Sequence, residues 1–344
     1  MLRKASFLLL NLLLCAFGFV LANGWIRANV PERLKVEWYE TIKDEVDVIF
    51  LGSSHVFRQF DPQIFDVQRF DEASPYRSVN LAALGMGFSE ESYMLHRILS
   101  ENPEALEWVV IEALPFSLDM QNENDFGLRR IEWHDSTITW QLVREIWNSS
   151  LEQDEKWKLT RRHVEHWWRR SLGLARGMDA VEAFGQSPLE GFEDQSALGV
   201  NRNGYLPLEV ATADQQSRGM RKKFRSAPQK LEQAKTELLT AGDGGAPGGS
   251  QLAMVREMEA IAKEHGVGLV WWIHPNLKRY RGWRQMKENG DIQHLIAYDD
   301  PESHPEFYTV QSHFDLYHLN RQASERMTMT FAFDFVNLVL GEEN

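Results

Sequence analysis

The run Val46-Asp47-Val48-Ile49-Phe50-Leu51, passing directly into Gly52-Ser53-Ser54, constrains this chain more than any other stretch. Its unbroken apolar core, mostly β-branched or aromatic, lacks the polar alternation of a half-exposed strand. It reads as a strand covered on both faces, as in parallel sheets sandwiched between helices. Gly52 permits a sharp turn at the strand's carboxyl end, the edge where open α/β sheets hold their ligands. Ser54 is expected at that edge.

The rest of the chain repeats the theme. Ser78 to Ala83 reads as a second strand ending in the glycine turn Leu84-Gly85-Met86-Gly87, and a helix follows from Ser89. Trp108 to Ile111, closed by Pro115, is a third strand; Val267 to Ile273 is a fourth, running into His274-Pro275-Asn276; His294 to Tyr298 is a short fifth. Strands alternating with helices predict a three-layer α/β/α sandwich with a parallel sheet, flavodoxin-like in outline. The alternation stops between 117 and 241, which reads as a helical insertion, and 242–250 has the Gly-rich composition of a flexible linker. The sheet domain is thus expected in two halves, 47–116 and 251–344, preceded by a helical connector over 25–46.

Arg3 and Lys4 stand before an apolar run from Phe7 to Ala22, the layout of a signal anchor or a signal peptide. Val20-Leu21-Ala22 is an acceptable cleavage site, but the run is long for a cleaved signal, so an anchor with the body outside the cytoplasm is the expectation. The only cysteine, Cys15, lies in that run, leaving no disulfide, zinc-cysteine site or thiol nucleophile for the body. A formal net charge of −13 argues against a nucleic-acid partner. The histidines His304, His313 and His318 have no ligand-motif spacing, and neither metal nor cofactor is expected.

Within the insertion, Trp157, Val164, Trp168 and Leu172 form an apolar stripe among Lys156, Lys158, Arg161, Arg162, Arg169 and Arg170. The simplest expectation packs this stripe on the sheet; the alternatives are a membrane-surface helix or a wall for an acceptor. Asn201 to Pro207 reads as a loop able to close over a site.

Acyl transfer through a serine needs a nucleophile, an imidazole to take its proton, a group to orient that imidazole, and donors for the oxyanion. Ser54 is the serine in the right setting. Asp315 and His318, spaced D-x-x-H before the last helix, can pair with one another while the second ring nitrogen faces a serine elsewhere. His274 and Asn276, at the end of the fourth strand, lie on the same side of the sheet as candidates to assist. His55 reads as the start of a helix, and Glu112 as a solvated strand end.

Together these blocks resemble the SGNH (GDSL-type) hydrolase superfamily. Leu51-Gly52-Ser53-Ser54 resembles its first block, with Ser53 in place of the usual aspartate, and puts the nucleophile on Ser54. Gly85 matches the second-block glycine, whose backbone N–H joins that of Ser54 in the oxyanion hole, with Gly87 the near alternative. Asp315 and His318 match the last block, and the continuation His318-Leu319-Asn320-Arg321-Gln322-Ala323 is similar to the membrane-anchored branch acting on cell-envelope polymers, which includes alginate O-acetylation proteins. The resemblance covers about half the chain. It implies a serine acyltransferase or esterase acting on O-acyl groups of an envelope or exported polysaccharide, beside a membrane-bound O-acyltransferase, in the periplasm or outside the cell. One block departs: Glu112-Ala113-Leu114-Pro115 stands where the family's Gly-x-Asn-Asp supplies an oxyanion asparagine. Losing one such donor costs about 10²–10³ in rate. Asn276 is the candidate substitute, and a non-catalytic carbohydrate-binding or assembly component is the alternative reading.

Overall fold

The computed structural model describes residues 34–67, 76–119, 131–172, 198–199, 201–211, 215–240, 247–277 and 282–341, with scattered helical positions between 7 and 22. Five strands, β1 (Val48–Leu51), β2 (Ser78–Asn80), β3 (Trp108–Glu112), β4 (Gly268–Ile273) and β5 (His294–Ala297), form one sheet in the order β2-β1-β3-β4-β5. Every pairing is parallel. The order reverses at β1, so the crevice beyond the carboxyl ends of β1 and β3 is the switch point where such sheets bind ligands.

The two faces of the sheet are filled by alternate residues of the same strands, which is why β1 carries no polar residue. Val48 and Phe50 of β1, Val110 of β3 and Trp272 of β4 join one core cluster. That cluster is closed by α2 (Ser54–Gln59), α3 (Pro62–Asp66) and the last helix, α12 (Arg321–Gly341), with Phe50 stacked on Phe60 at 4.3 Å and edge-on to Phe65 and Phe331. On the other face, α4 (Phe88–Ser100) and α10 (Gly249–Glu264) pack together, and the Trp271 indole donates to Glu259 of α10 at 2.8 Å. Helices on both faces of a parallel sheet give the expected α/β architecture. Asp61 caps α3 by accepting from Gln63 N–H, with Pro62 at its first turn, as an Asp-Pro start favours.

Several boundaries differ from the sequence reading. Gly249 and Ser250 open α10 with Gly248 at its N-cap, so the Gly-rich stretch supplies a helix start at its far end, while 241–246 lie outside the described residues. The Asn201–Pro207 loop is pinned: Asn203 O accepts from Asn80 N–H at 2.9 Å, Asn203 and Asn201 side chains bond Asp61 and Gln63, and Leu206 N–H bonds Phe57 O. It covers the outer edge of β2, where an unpaired strand would otherwise expose donors. A β-carbon on Gly204, which has φ of +87°, would run into the Asn80 carbonyl.

The chain divides into two compact units, one comprising residues 38–117 and 195–344, the other residues 1–37 and 118–194. The second contains α5 (Ser136–Asn148) and α6 (Gln153–Ser171), packed against each other. Asp135 caps α5 by accepting from Ile138 N–H. Among the described residues, no helix is long and apolar enough to cross a membrane.

Inside the α5–α6 unit, His163 Nδ1 lies 3.0 Å from His134 Nε2, and His163 Nε2 bonds the Leu118 carbonyl at 3.1 Å. Burial pushes the His163 imidazole down to about 4. The unfolded chain then binds more protons between that value and the ordinary one near 6.5, so stability is full above this window and lost as pH falls through it. Urea denaturation followed from neutral to acid pH is expected to show this unit losing on the order of 3 kcal/mol, with His163→Gln removing that part of the slope.

Candidate active site

Ser53 ends the β1 turn as the N-cap of α2, its hydroxyl accepting from His55 N–H, so Ser54 starts the helix at the carboxyl edge of the sheet. Ser54 Oγ lies 2.9 Å from His318 Nε2, across 264 residues of sequence. His318 Nδ1 lies 3.1 Å from both Asp315 carboxylate oxygens. Asp315 Oδ1 also accepts from the backbone N–H groups of Tyr317 and His318, at 2.8 and 2.9 Å. The D-x-x-H spacing thus makes a tight turn that fixes its own histidine. Burial raises the Asp315 carboxyl, but its bonds with His318 and the two N–H groups outweigh burial and hold it below the ordinary range. Ionised Asp315 keeps the proton on His318 Nδ1 and leaves Nε2 free to accept one from Ser54.

Gly85 sits on an exposed turn whose Met86 N–H bonds the Ala83 carbonyl, with φ of +65°, a conformation that calls for glycine. Ala83 N–H in turn bonds the Gly52 carbonyl at 3.0 Å, which ties this loop to the Ser54 turn. Gly87 is the N-cap of α4. The two candidates at the end of β4, His274 and Asn276, have defined partners. His274 is fully buried and directs Nδ1 to Glu112 at 2.9 Å, while His318 faces Ser54. The Asn276 side chain donates to the His274 carbonyl at 3.2 Å, and its backbone is held by the Tyr308 hydroxyl.

A buried polar cluster that no motif announced lies beneath the Ser54 turn. Glu112 is fully buried, not solvated. Its Oε2 accepts from Ser53 N–H at 2.6 Å, and its Oε1 lies 3.1 Å from His55 Nδ1 as well as near His274 Nδ1. The His55 ring stacks on His274 at 3.6 Å and on His318 at 5.1 Å. A buried carboxylate therefore holds the backbone of the Ser54 turn. Burial raises the Glu112 carboxyl, but the two imidazoles more than reverse this and hold it low. Burial and His274 lower His55 against the pull of Glu112 and the Tyr317 backbone. Both shifts make the folded state bind fewer protons than the unfolded chain, so acid weakens this cluster. Glu91 of α4 is also buried, and burial together with the Glu112 charge pushes its carboxyl up.

His55, Glu112 and His274 are close enough to share a metal ion. Their imidazoles are stacked 16° from parallel, a poor arrangement for one shared ion, which should lie near both ring planes. A β-carbon on Gly52 would press on the Val56 side chain and lie 2.7 Å from Glu112 Oε2 and 2.8 Å from Glu112 Cβ. Gly52→Ala is thus expected to cost about 1–3 kcal/mol in thermal unfolding by overpacking. Glu112→Gln keeps the size but loses the charge, and urea denaturation is expected to show a loss of about 1.5–3 kcal/mol.

A cavity of about 500 Å³, lined by Trp38, Gln63, Asp66, Arg77, Ser78 and Asn201 among others, sits at the amino end of β2. That is the opposite end of the strands from Ser54. Neither a scan against protein-family models nor a search of curated proteins finds a match for this chain.

Proposed function

We propose that the chain is a serine acyltransferase or esterase, tethered to a membrane by its N-terminal segment and acting on O-acyl groups of an envelope or exported polysaccharide. The observation that carries this reading is the Ser54–His318–Asp315 relay, with each heavy-atom separation at 2.9–3.1 Å. Ser54 Oγ attacks the acyl carbonyl while His318 Nε2 takes its proton, forming a C–O bond and a tetrahedral oxyanion. The Ser54 and Gly85 N–H groups stabilise that oxyanion. Collapse breaks the ester C–O bond, His318 returns the proton to the leaving alcohol, and the acyl group stays on Ser54. Water or a carbohydrate hydroxyl, deprotonated by His318, then attacks the acyl-serine and restores the enzyme. Placement outside the cytoplasm beside a membrane-bound O-acyltransferase completes the proposal.

A non-catalytic carbohydrate-binding or assembly role is the second reading, favoured by Glu112 standing where an oxyanion asparagine is expected. Turnover of an acetylated chromogenic ester separates the two. Release by the wild type but not by Ser54→Ala supports the enzyme; no release by folded wild type supports the binding role.

A further inference from the structure

Helix α6 carries its tryptophans on the outside. Its inward residues are Leu159, His163 and His166, all buried. That leaves Trp157, Arg161, Val164 and Trp168, spaced i, i+4, i+7 and i+11, on the opposite face. Trp157 and Trp168 are 59% and 54% exposed, and Trp140 of α5 is 50% exposed. Trp167 bridges two of them, its ring centroid 5.7 Å from Trp140 and 5.8 Å from Trp168. Fully burying an apolar side chain is ordinarily worth about 1.5–3 kcal/mol, a gain these indoles forgo unless something covers them.

The chemistry around the stripe selects the covering surface. Helix α6 holds six Lys and Arg against three Asp and Glu, in a chain whose net charge is −13. Arg161 and Lys158 are exposed beside the stripe. The same compact unit contains the N-terminal segment, whose Phe7, Leu13, Leu14, Phe17 and Leu21 side chains are also exposed on helical backbone. Indoles settle at bilayer interfaces, cations bind lipid phosphates, and exposed Phe and Leu suit acyl chains. A sugar polymer matches the indoles and the charge but gives those Phe and Leu side chains nothing.

We propose that the α5–α6 hairpin lies on an anionic lipid bilayer, with Trp140, Trp157 and Trp168 at headgroup depth and Lys158 and Arg161 on lipid phosphates. The surface is independent of the Ser54 chemistry. The test uses the full chain with Cys15→Ser and an environment-sensitive fluorophore on Val164→Cys, reconstituted in phosphatidylglycerol/phosphatidylethanolamine vesicles containing brominated lipid. A label on Glu302→Cys, exposed in the sheet unit, is the reference. Quenching at 164 and none at 302 is expected. Arg161→Glu should reduce the quenched population roughly fivefold or more, the loss expected from removing one cation at an anionic surface, with Lys158→Glu as the second variant should the first lose its helical circular dichroism. Equal absence of quenching at both positions overturns the proposal. So does a spectral shift at 164 that an acidic polysaccharide produces and vesicles do not.

Discussion

Replacing Ser54 with alanine is expected to cut ester turnover by about 10³–10⁴ and to prevent acyl-enzyme formation while leaving the fold intact. The hydroxyl makes one side-chain contact of note, to His318 Nε2, and its loss removes no buried partner of the core. Removing the nucleophile of a serine triad costs about 10⁶ where the oxyanion hole is complete. On the proposed reading, Glu112 takes the place of the side-chain donor, a deficit of about 10²–10³ in the starting rate. The fall measured on Ser54→Ala should therefore be about 10³–10⁴, read as kcat/KM on an activated ester, with thermal unfolding unchanged. Because the residues act as one unit, adding His318→Ala to Ser54→Ala should cost almost nothing further.

Asp315→Asn is expected to give the second large effect. The carboxylate accepts from Tyr317 N–H, His318 N–H and His318 Nδ1 together. An amide keeps one accepting oxygen, but its NH₂ turned toward His318 Nδ1 would require that nitrogen to be bare. The proton would then sit on Nε2, facing Ser54, and the imidazole could not act as base. The same change of tautomer costs about 10⁴ in a serine protease, and a kcat loss of about 10³–10⁴ with little change in KM is the outcome to measure. Stability should fall as well. The folded-state carboxyl is held below its ordinary range, so its contribution is present above that range and disappears as pH drops through the folded value. Asp315→Asn should flatten that acid limb of the stability profile.

Much of the fold was legible because its physics is local. An all-apolar β1 has one explanation, a sheet covered twice, and the strand-helix alternation fixes parallel pairing. Ser54, Asp315 and His318 were joined by the resemblance, since a Gly-Ser-Ser turn and a D-x-x-H are each common alone; the structure brings their side chains within hydrogen-bond reach.

What the sequence hid depends on partners far apart in the chain. Glu112 follows Val109-Val110-Ile111 and looks like the polar end of a strand, yet its three contacts come from residues 53, 55 and 274. No spacing announces that convergence. Helix α6 misled for a simpler reason. Tryptophan outranks histidine as an apolar residue, so the Trp157–Trp168 stripe reads as the inward face. The histidines go inward because their ring nitrogens find fixed acceptors, His163 on Leu118 O and His166 on Arg162 O.

The measurement that tests the central claim most directly is covalent. Wild-type protein and Ser54→Ala are incubated with a fluorophosphonate, digested, and the adduct located by mass spectrometry. One phosphonate on Ser54 in the wild type, absent from Ser54→Ala and strongly suppressed in His318→Ala, is the expected result. An unlabelled wild type with native circular dichroism, or labelling that survives Ser54→Ala, would contradict it.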